Sequence, residues 1–123
     1  MNEKQLSAAG ALNMLIAVGA GAFGAHGLRA RVSADLLAVW QTGVQYHLIH
    51  GLGLLLIAAL LPRFPLGRLG GAGMLMQIGM VLFSGSLYAL TLSGVRMLGI
   101  VTPIGGLMLL GAWAWLAWAA LRS

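Results

Sequence analysis

The chain has 123 residues, of which 60% are hydrophobic and only 7% charged, with 19 glycines, no cysteine and a net charge of +5. A soluble domain of this size carries roughly a quarter of its residues as charges, so most of this surface faces lipid, in keeping with a mean hydropathy of +0.95. The missing cysteines exclude disulfides, thiolate chemistry and iron–sulfur ligation, and the basic residues are dispersed rather than gathered into a nucleic-acid footprint.

At about 20 residues per membrane helix, the length fits four spans joined by short connections. The expected fold is an all-α integral membrane four-helix bundle, one domain over residues 1–123. The first span is expected over residues 6–28. Lys4, an apolar stretch and the small residues Ala20, Gly21 and Ala22 have the outline of a signal peptide. Glu3 dilutes its basic region and the apolar run continues past Ala22, so an uncleaved span is expected. Ala9, Asn13, Ala17, Ala20 and Gly24 recur at spacings of three and four and share one face. Such small faces let a neighbouring backbone approach closely, and Asn13 on that face suits an interhelical hydrogen bond better than contact with a solute.

Residues 29–42 are too polar to span. Ser33 followed by Asp35 reads as a helix start, with a serine cap and an acid near the positive end of the dipole. Leu36, Leu37, Val39 and Trp40 then give an apolar surface, and a short amphipathic helix over about residues 33–42 is expected to lie in the interface, with Trp40 at headgroup depth. The second span is expected over residues 44–61, ending at Pro62. The connection PRFPLGR (residues 62–68) suits a tight turn between antiparallel helices.

The third span is expected over residues 69–92. Gln77, Ser84 and Tyr88 fall on one of its faces, which should point into the bundle. Ser93 and Gly94 open the last connection. Thr102 before Pro103 reads as a cap for a fourth span over residues 103–121. Trp113 and Trp115 fall inside it, and Trp118 is placed for an aromatic belt. Four spans put both termini on one side with Lys4, Arg63, Arg68 and Arg122, against Arg29, Arg31 and Arg96 on the other. The positive-inside rule then favours cytoplasmic termini by a single charge, in a bacterial inner (plasma) membrane. No internal repeat is evident between the two hairpins.

The segments GAFGAHGL (residues 21–28), W-Q-T-x-x-Q-Y-H-x-x-H-G (residues 40–51), FSGSLYAL (residues 83–90) and TPIGG (residues 102–106) run in order over nearly the whole chain. Together they resemble a family of small four-span membrane proteins, the domain of unknown function 423 family, which takes in YgdD-like and transmembrane protein 256-like proteins. The resemblance implies a four-helix membrane protein and brings no activity, cofactor or catalytic residue with it.

Chemistry, if present, should centre on the histidines. His47 and His50 are three apart on the second span and so share a face. His26 ends the first span on the same side of the membrane, and Asp35 and Tyr46 lie nearby in sequence. His26, His47, His50, Asp35 and Tyr46 therefore form the candidate functional cluster, with Asn13, Gln77, Ser84 and Tyr88 as candidate intramembrane polar residues. Three imidazoles can hold zinc, two on different helices can ligate haem iron, and an imidazole can handle protons near neutral pH. The bland alternative is that they hydrogen-bond between helices, and it outweighs the others because no second shell is evident. No H-E-x-x-H is present, and no carboxylate is predicted at the depth of Ser84 or Ser86 to orient a histidine base. No catalytic, cofactor-binding or metal-binding residue is assigned and no cofactor is expected.

The leading functional expectation is a non-enzymatic scaffold or accessory subunit that packs through its small-residue faces, with lipids, a second copy or another membrane protein as partners. A transporter or channel for a small solute or proton, and a haem- or metal-binding redox subunit, are the alternatives.

Overall fold

A computed structural model of the chain describes residues 1–122. Helix α1 spans Glu3–Phe23 and continues through one wide π turn, Gly24–Leu28. Helix α2 spans Ala34–Leu60, α3 Gly70–Ser93 and α4 Val101–Leu121, with short 3-10 turns at Leu61–Arg63 and Arg96–Ile100. All four helices are long and apolar enough to cross a membrane. Leu12, Leu15 and Ile16 on α1, Leu52 and Leu56 on α2, Ile78 and Val81 on α3, and Leu107 and Leu110 on α4 are exposed. In water that many bare aliphatic side chains would be untenable, and in a bilayer they form the lipid-facing belt.

The ends follow local chemistry. The Asn2 side chain accepts from the Gln5 amide at 2.8 Å while Gln5 Oε1 accepts from the Asn2 amide, a reciprocal cap on α1. Ser33 caps α2 as expected, its hydroxyl oxygen accepting from the Leu36 amide at 3.2 Å. Gly94 ends α3 in the left-handed region at φ 73°, which glycine adopts without a Cβ penalty.

Two expectations about the ends fail. Thr102 does not cap α4, which already begins at Val101; its hydroxyl instead lies 2.6 Å from that of Ser86 on α3. Nor is there a separate interfacial helix over residues 33–42, because that stretch is the first two and a half turns of α2. The buried positions Trp40, Gly43, Val44, His47, His50, Gly51, Leu54, Ile57 and Ala58 recur every three or four residues without a break in phase. No proline interrupts them, so nothing in the backbone stops one helix from continuing. At 1.5 Å per residue the 27-residue α2 is roughly 40 Å long, about 10 Å more than a hydrocarbon core. The first turn of α2 is exposed or half-buried, and the buried face begins at Trp40. Trp40 is 5% exposed, packed against protein rather than presented to lipid headgroups.

The inner pair of the bundle is α2 and α3, the most buried of the four. α1 packs chiefly on α2, and α4 on α3. The first seam is small on the α1 side, where Gly10, Ala17 and Gly24 are buried. The second seam is tighter. A Cβ on Gly105 would press into the backbone nitrogen of Phe83 and stand 2.8 Å from the Gly79 carbonyl oxygen, so the α3 and α4 backbones touch there. The main apolar core lies toward the termini, built from Leu6, Leu54, Ile57, Leu69, Met76, Met80 and Leu109.

Candidate functional site

The wide turn at Gly24–Leu28 and the start of α2 are fitted to each other. The indole of Trp40 lies over Gly24, where a Cβ would come within 2.7 Å of its Cδ1. Its Nε1–H donates to the Ala20 carbonyl at 2.8 Å, which also receives the Gly24 amide. Phe23 meets the same indole edge-on at 5.8 Å, and Tyr88 of α3 leans on it at 4.6 Å. The GAFGAHGL and W-Q-T segments thus make one corner. His26 is exposed on that corner, and Asp35 is exposed on the first turn of α2.

Directly below, His47 of α2 is met by α1 and α3. Its Nδ1 lies 2.9 Å from the Tyr88 hydroxyl and its Nε2 lies 2.9 Å from Asn13 Oδ1. Asn13 Nδ2 donates to the Ala9 carbonyl at 2.7 Å and to Gln77 Oε1 at 2.8 Å. These partners determine every proton. A backbone carbonyl can only accept, so Asn13 presents Nδ2 to Ala9 and Oδ1 to the imidazole. His47 must then donate through Nε2 and accept the Tyr88 hydroxyl at Nδ1. The result is a one-way chain, Tyr88 to His47 to Asn13 to Gln77. Tyr88 and Gln77 are eleven residues apart on α3, so the chain covers roughly 16 Å along that helix. Gly43 makes it sterically feasible, since a Cβ there would stand 3.0 Å from the Tyr88 ring. Ser84 closes the same face by donating to the Gly43 carbonyl at 2.7 Å.

His50, one turn further on, faces different company. The indole Nε1–H of Trp113 on α4 lies 3.0 Å from its Nε2, and the Tyr46 carbonyl lies 2.7 Å from its Nδ1. An indole only donates and a carbonyl only accepts. His50 is therefore the neutral tautomer protonated at Nδ1, opposite to His47. Its ring stacks on Tyr46 at 5.9 Å, and Tyr46 packs on Phe83 of α3 at 4.3 Å.

The candidate cluster thus separates. Of its five members only His50 and Tyr46 touch, one turn apart on α2. His47 belongs with Asn13, Gln77 and Tyr88, while His26 and Asp35 stay at the membrane face. Among the described residues no three of His, Cys, Asp and Glu are grouped to hold a metal ion. Both nitrogens of His47 and of His50 are engaged, so either would have to break a hydrogen bond before ligating a metal or haem iron. Sequence reasoning missed Trp113 as the partner of His50. The two are 63 positions apart, and nothing in the spacing of an apolar helix singles out one of its tryptophans. The expected interhelical role of Asn13 and the inward polar face of α3 are both present in the structure.

Among the described residues, no buried side-chain nitrogen or oxygen lacks a hydrogen-bond partner. Among the described residues, the four most prominent surface crevices are lined by other side chains than those of Asn13, His47, Gln77, Ser84 and Tyr88.

The family described as protein of unknown function (DUF423) matches residues 20–106. The chain belongs to this family. It is 47% identical over 114 residues to the UPF0382 membrane protein YwdK of Bacillus subtilis, covering 92% of this chain and 93% of that one. A UPF0382 membrane protein of Staphylococcus epidermidis is 45% identical over 92% of both chains, and one of Staphylococcus aureus 42% identical over the same shares. No solved structure matches. The protein is a multi-pass integral membrane protein of this family, whose function is unknown. The matched region holds the Trp40 corner, both histidines, Gln77, Tyr88 and the Gly79–Gly105 contact, but not Asn13 or Trp113.

Proposed function

We propose that this protein is a non-enzymatic scaffold or accessory subunit of the membrane, whose interior polar residues fasten its own helices and whose outer faces meet other membrane components. The observation that supports this reading is the closed hydrogen bonding around His47. Both nitrogens of His47 and both polar atoms of the Asn13 side chain are spent on neighbours, and the Tyr88 hydroxyl and Gln77 Oε1 close the two ends of the chain. A general base or a metal ligand needs an atom to offer, and at His47 both nitrogens are committed. Hydrogen bonds between membrane helices are each worth about 0.6 kcal/mol on average, so a chain of three joining α1, α2 and α3 is a sensible fastening device. The same closure counts against a transport path, because two of its four members are carboxamides, which do not exchange protons readily.

Mass determination of the protein in nanodiscs, with reciprocal tagging of whatever co-purifies in stoichiometric amount, tests the proposal. A mass above that of one chain, or a membrane protein recovered at fixed ratio from either tag, is expected. A strict monomer without a stoichiometric partner overturns it.

A further inference from the structure

Helices α2 and α4 flank α3, and between them lies a groove of about 660 Å³ that opens sideways to lipid. Its walls are Tyr46 and His50 on α2 and Gly106, Leu110 and Trp113 on α4, with Phe83 of α3 as the floor. Three properties set it apart from an ordinary gap between helices. Four aromatic rings border it in contact order, Phe83 on Tyr46, Tyr46 on His50 and His50 on Trp113. Its polar atoms are used up with a single exception. His50 and the Trp113 N–H are engaged with each other and with the Tyr46 carbonyl, but the Tyr46 hydroxyl has no partner among the described residues. Tyr46 is 39% exposed. Lastly, it lies deep. His50 is 15 residues from Asp35 and 13 from Arg63, so roughly 20 Å of helix separates it from either charge. Tyr46 itself is eleven residues from Asp35, roughly 16 Å along α2, within the apolar stretch of that helix, and a hydroxyl without a partner in hydrocarbon is costly.

We propose that this groove binds the ring of a lipid-soluble, carbonyl-bearing planar molecule, a quinone-type isoprenoid by chemical class. The ring stacks among Tyr46, Phe83 and Trp113, and its carbonyl oxygen accepts the Tyr46 hydroxyl. Its apolar tail leaves along the exposed faces of Leu107 and Leu110 into the bilayer. The volume falls within the range of small-molecule sites, which pair apolar and aromatic walls with few polar groups. A phospholipid acyl chain would fill the space without using either the rings or the hydroxyl. A Cβ on Gly106 meets only the Phe83 ring at 3.7 Å, an ordinary contact, so a larger side chain there has room to enter the groove without striking backbone.

Binding of tritiated short-tailed ubiquinone to the purified full chain, followed by scintillation proximity in detergent, is the test. Saturable binding is expected. Tyr46→Phe, which keeps the ring and removes the hydroxyl, should weaken it at least fivefold, and Gly106→Leu, which fills the groove, should abolish it. Should Gly106→Leu not fold, Leu110→Trp blocks the groove from the lipid side and is read in the same way. Excess oleate should not displace the probe. Absence of saturable binding, equal affinity in Tyr46→Phe and the groove-filling variant, or displacement by oleate would each overturn the proposal.

Discussion

His47 and His50 stand one turn apart on the same face of α2, yet their surroundings differ in kind. Around His47 three helices converge and both of its nitrogens are answered from within the chain. Around His50 one helix answers, and the remaining space is an aromatic groove open to lipid with a hydroxyl to spare. The histidines are chemically alike, so the difference comes from what stands opposite. Gly43 is small enough to let the Tyr88 ring slide in beside His47. On the α4 side the close backbone contact is between Gly79 and Gly105, on α3 and not on α2, and α2 is left reaching across a gap with side chains. A fastening region and a receiving region can thus be built three residues apart.

The largest effect should come from removing the contact that holds α4 in place. Gly105→Leu drives a side chain into the α3 backbone, and overpacking of this kind costs about 1–3 kcal/mol or more. The expected outcome is loss of the folded bundle or detachment of α4, read as a collapse of thermal stability in nanodiscs. If α4 detaches alone, the hydrogen bonds of His47 should survive, since α4 contributes no partner to them.

His47→Leu strikes the fastening region. It leaves the Tyr88 hydroxyl and Asn13 Oδ1 without their partner, and each stranded buried group costs about 1–3 kcal/mol. A destabilisation of about 2–4 kcal/mol is expected in reversible unfolding experiments in mixed micelles. Trp113→Phe strikes the receiving region and strands only His50 Nε2, so about 1 kcal/mol is expected from the same measurement. The two regions share no hydrogen-bond partner, and the double variant should be additive within about 0.5 kcal/mol. Tyr46→Phe should be the smallest, within about 0.5 kcal/mol of the parent in thermal melting, because its hydroxyl bonds nothing in the protein. A large loss there would mean that Tyr46 fastens helices after all.

Much of this was legible in the amino-acid sequence, for identifiable reasons. Four apolar runs of spanning length, the small face through Ala9, Ala17 and Gly24, and the polar face of Gln77, Ser84 and Tyr88 are periodic features, and periodicity survives folding. Asn13 was legible because an amide in a membrane helix must find a partner. The break expected between residues 42 and 44 failed because it was inferred from polarity. Gln41 and Gln45 are polar but exposed, whereas the positions that pack, Trp40, Val44 and His47, keep helical phase throughout. The packing role of Trp40 was illegible on the same ground, as a tryptophan near a membrane face can serve a corner as well as a belt. The pairing of His50 with Trp113 was illegible because it depends on how α4 sits on α3, which is set by glycine contacts that no single helix reveals. The expectation that His26 would join the other histidines followed the chain around the corner correctly but could not foresee that the turn points it outward.

The central claim is that the two histidines are fixed in opposite neutral tautomers by different partners. Nitrogen-15 NMR of histidine-labelled protein in nanodiscs tests it most directly, with His47→Gln and His50→Gln variants assigning the signals. The account predicts one buried imidazole protonated at Nε2, lost in His47→Gln, and one protonated at Nδ1, lost in His50→Gln. Two buried histidines in the same tautomer, or either one exchanging freely between both, would contradict it.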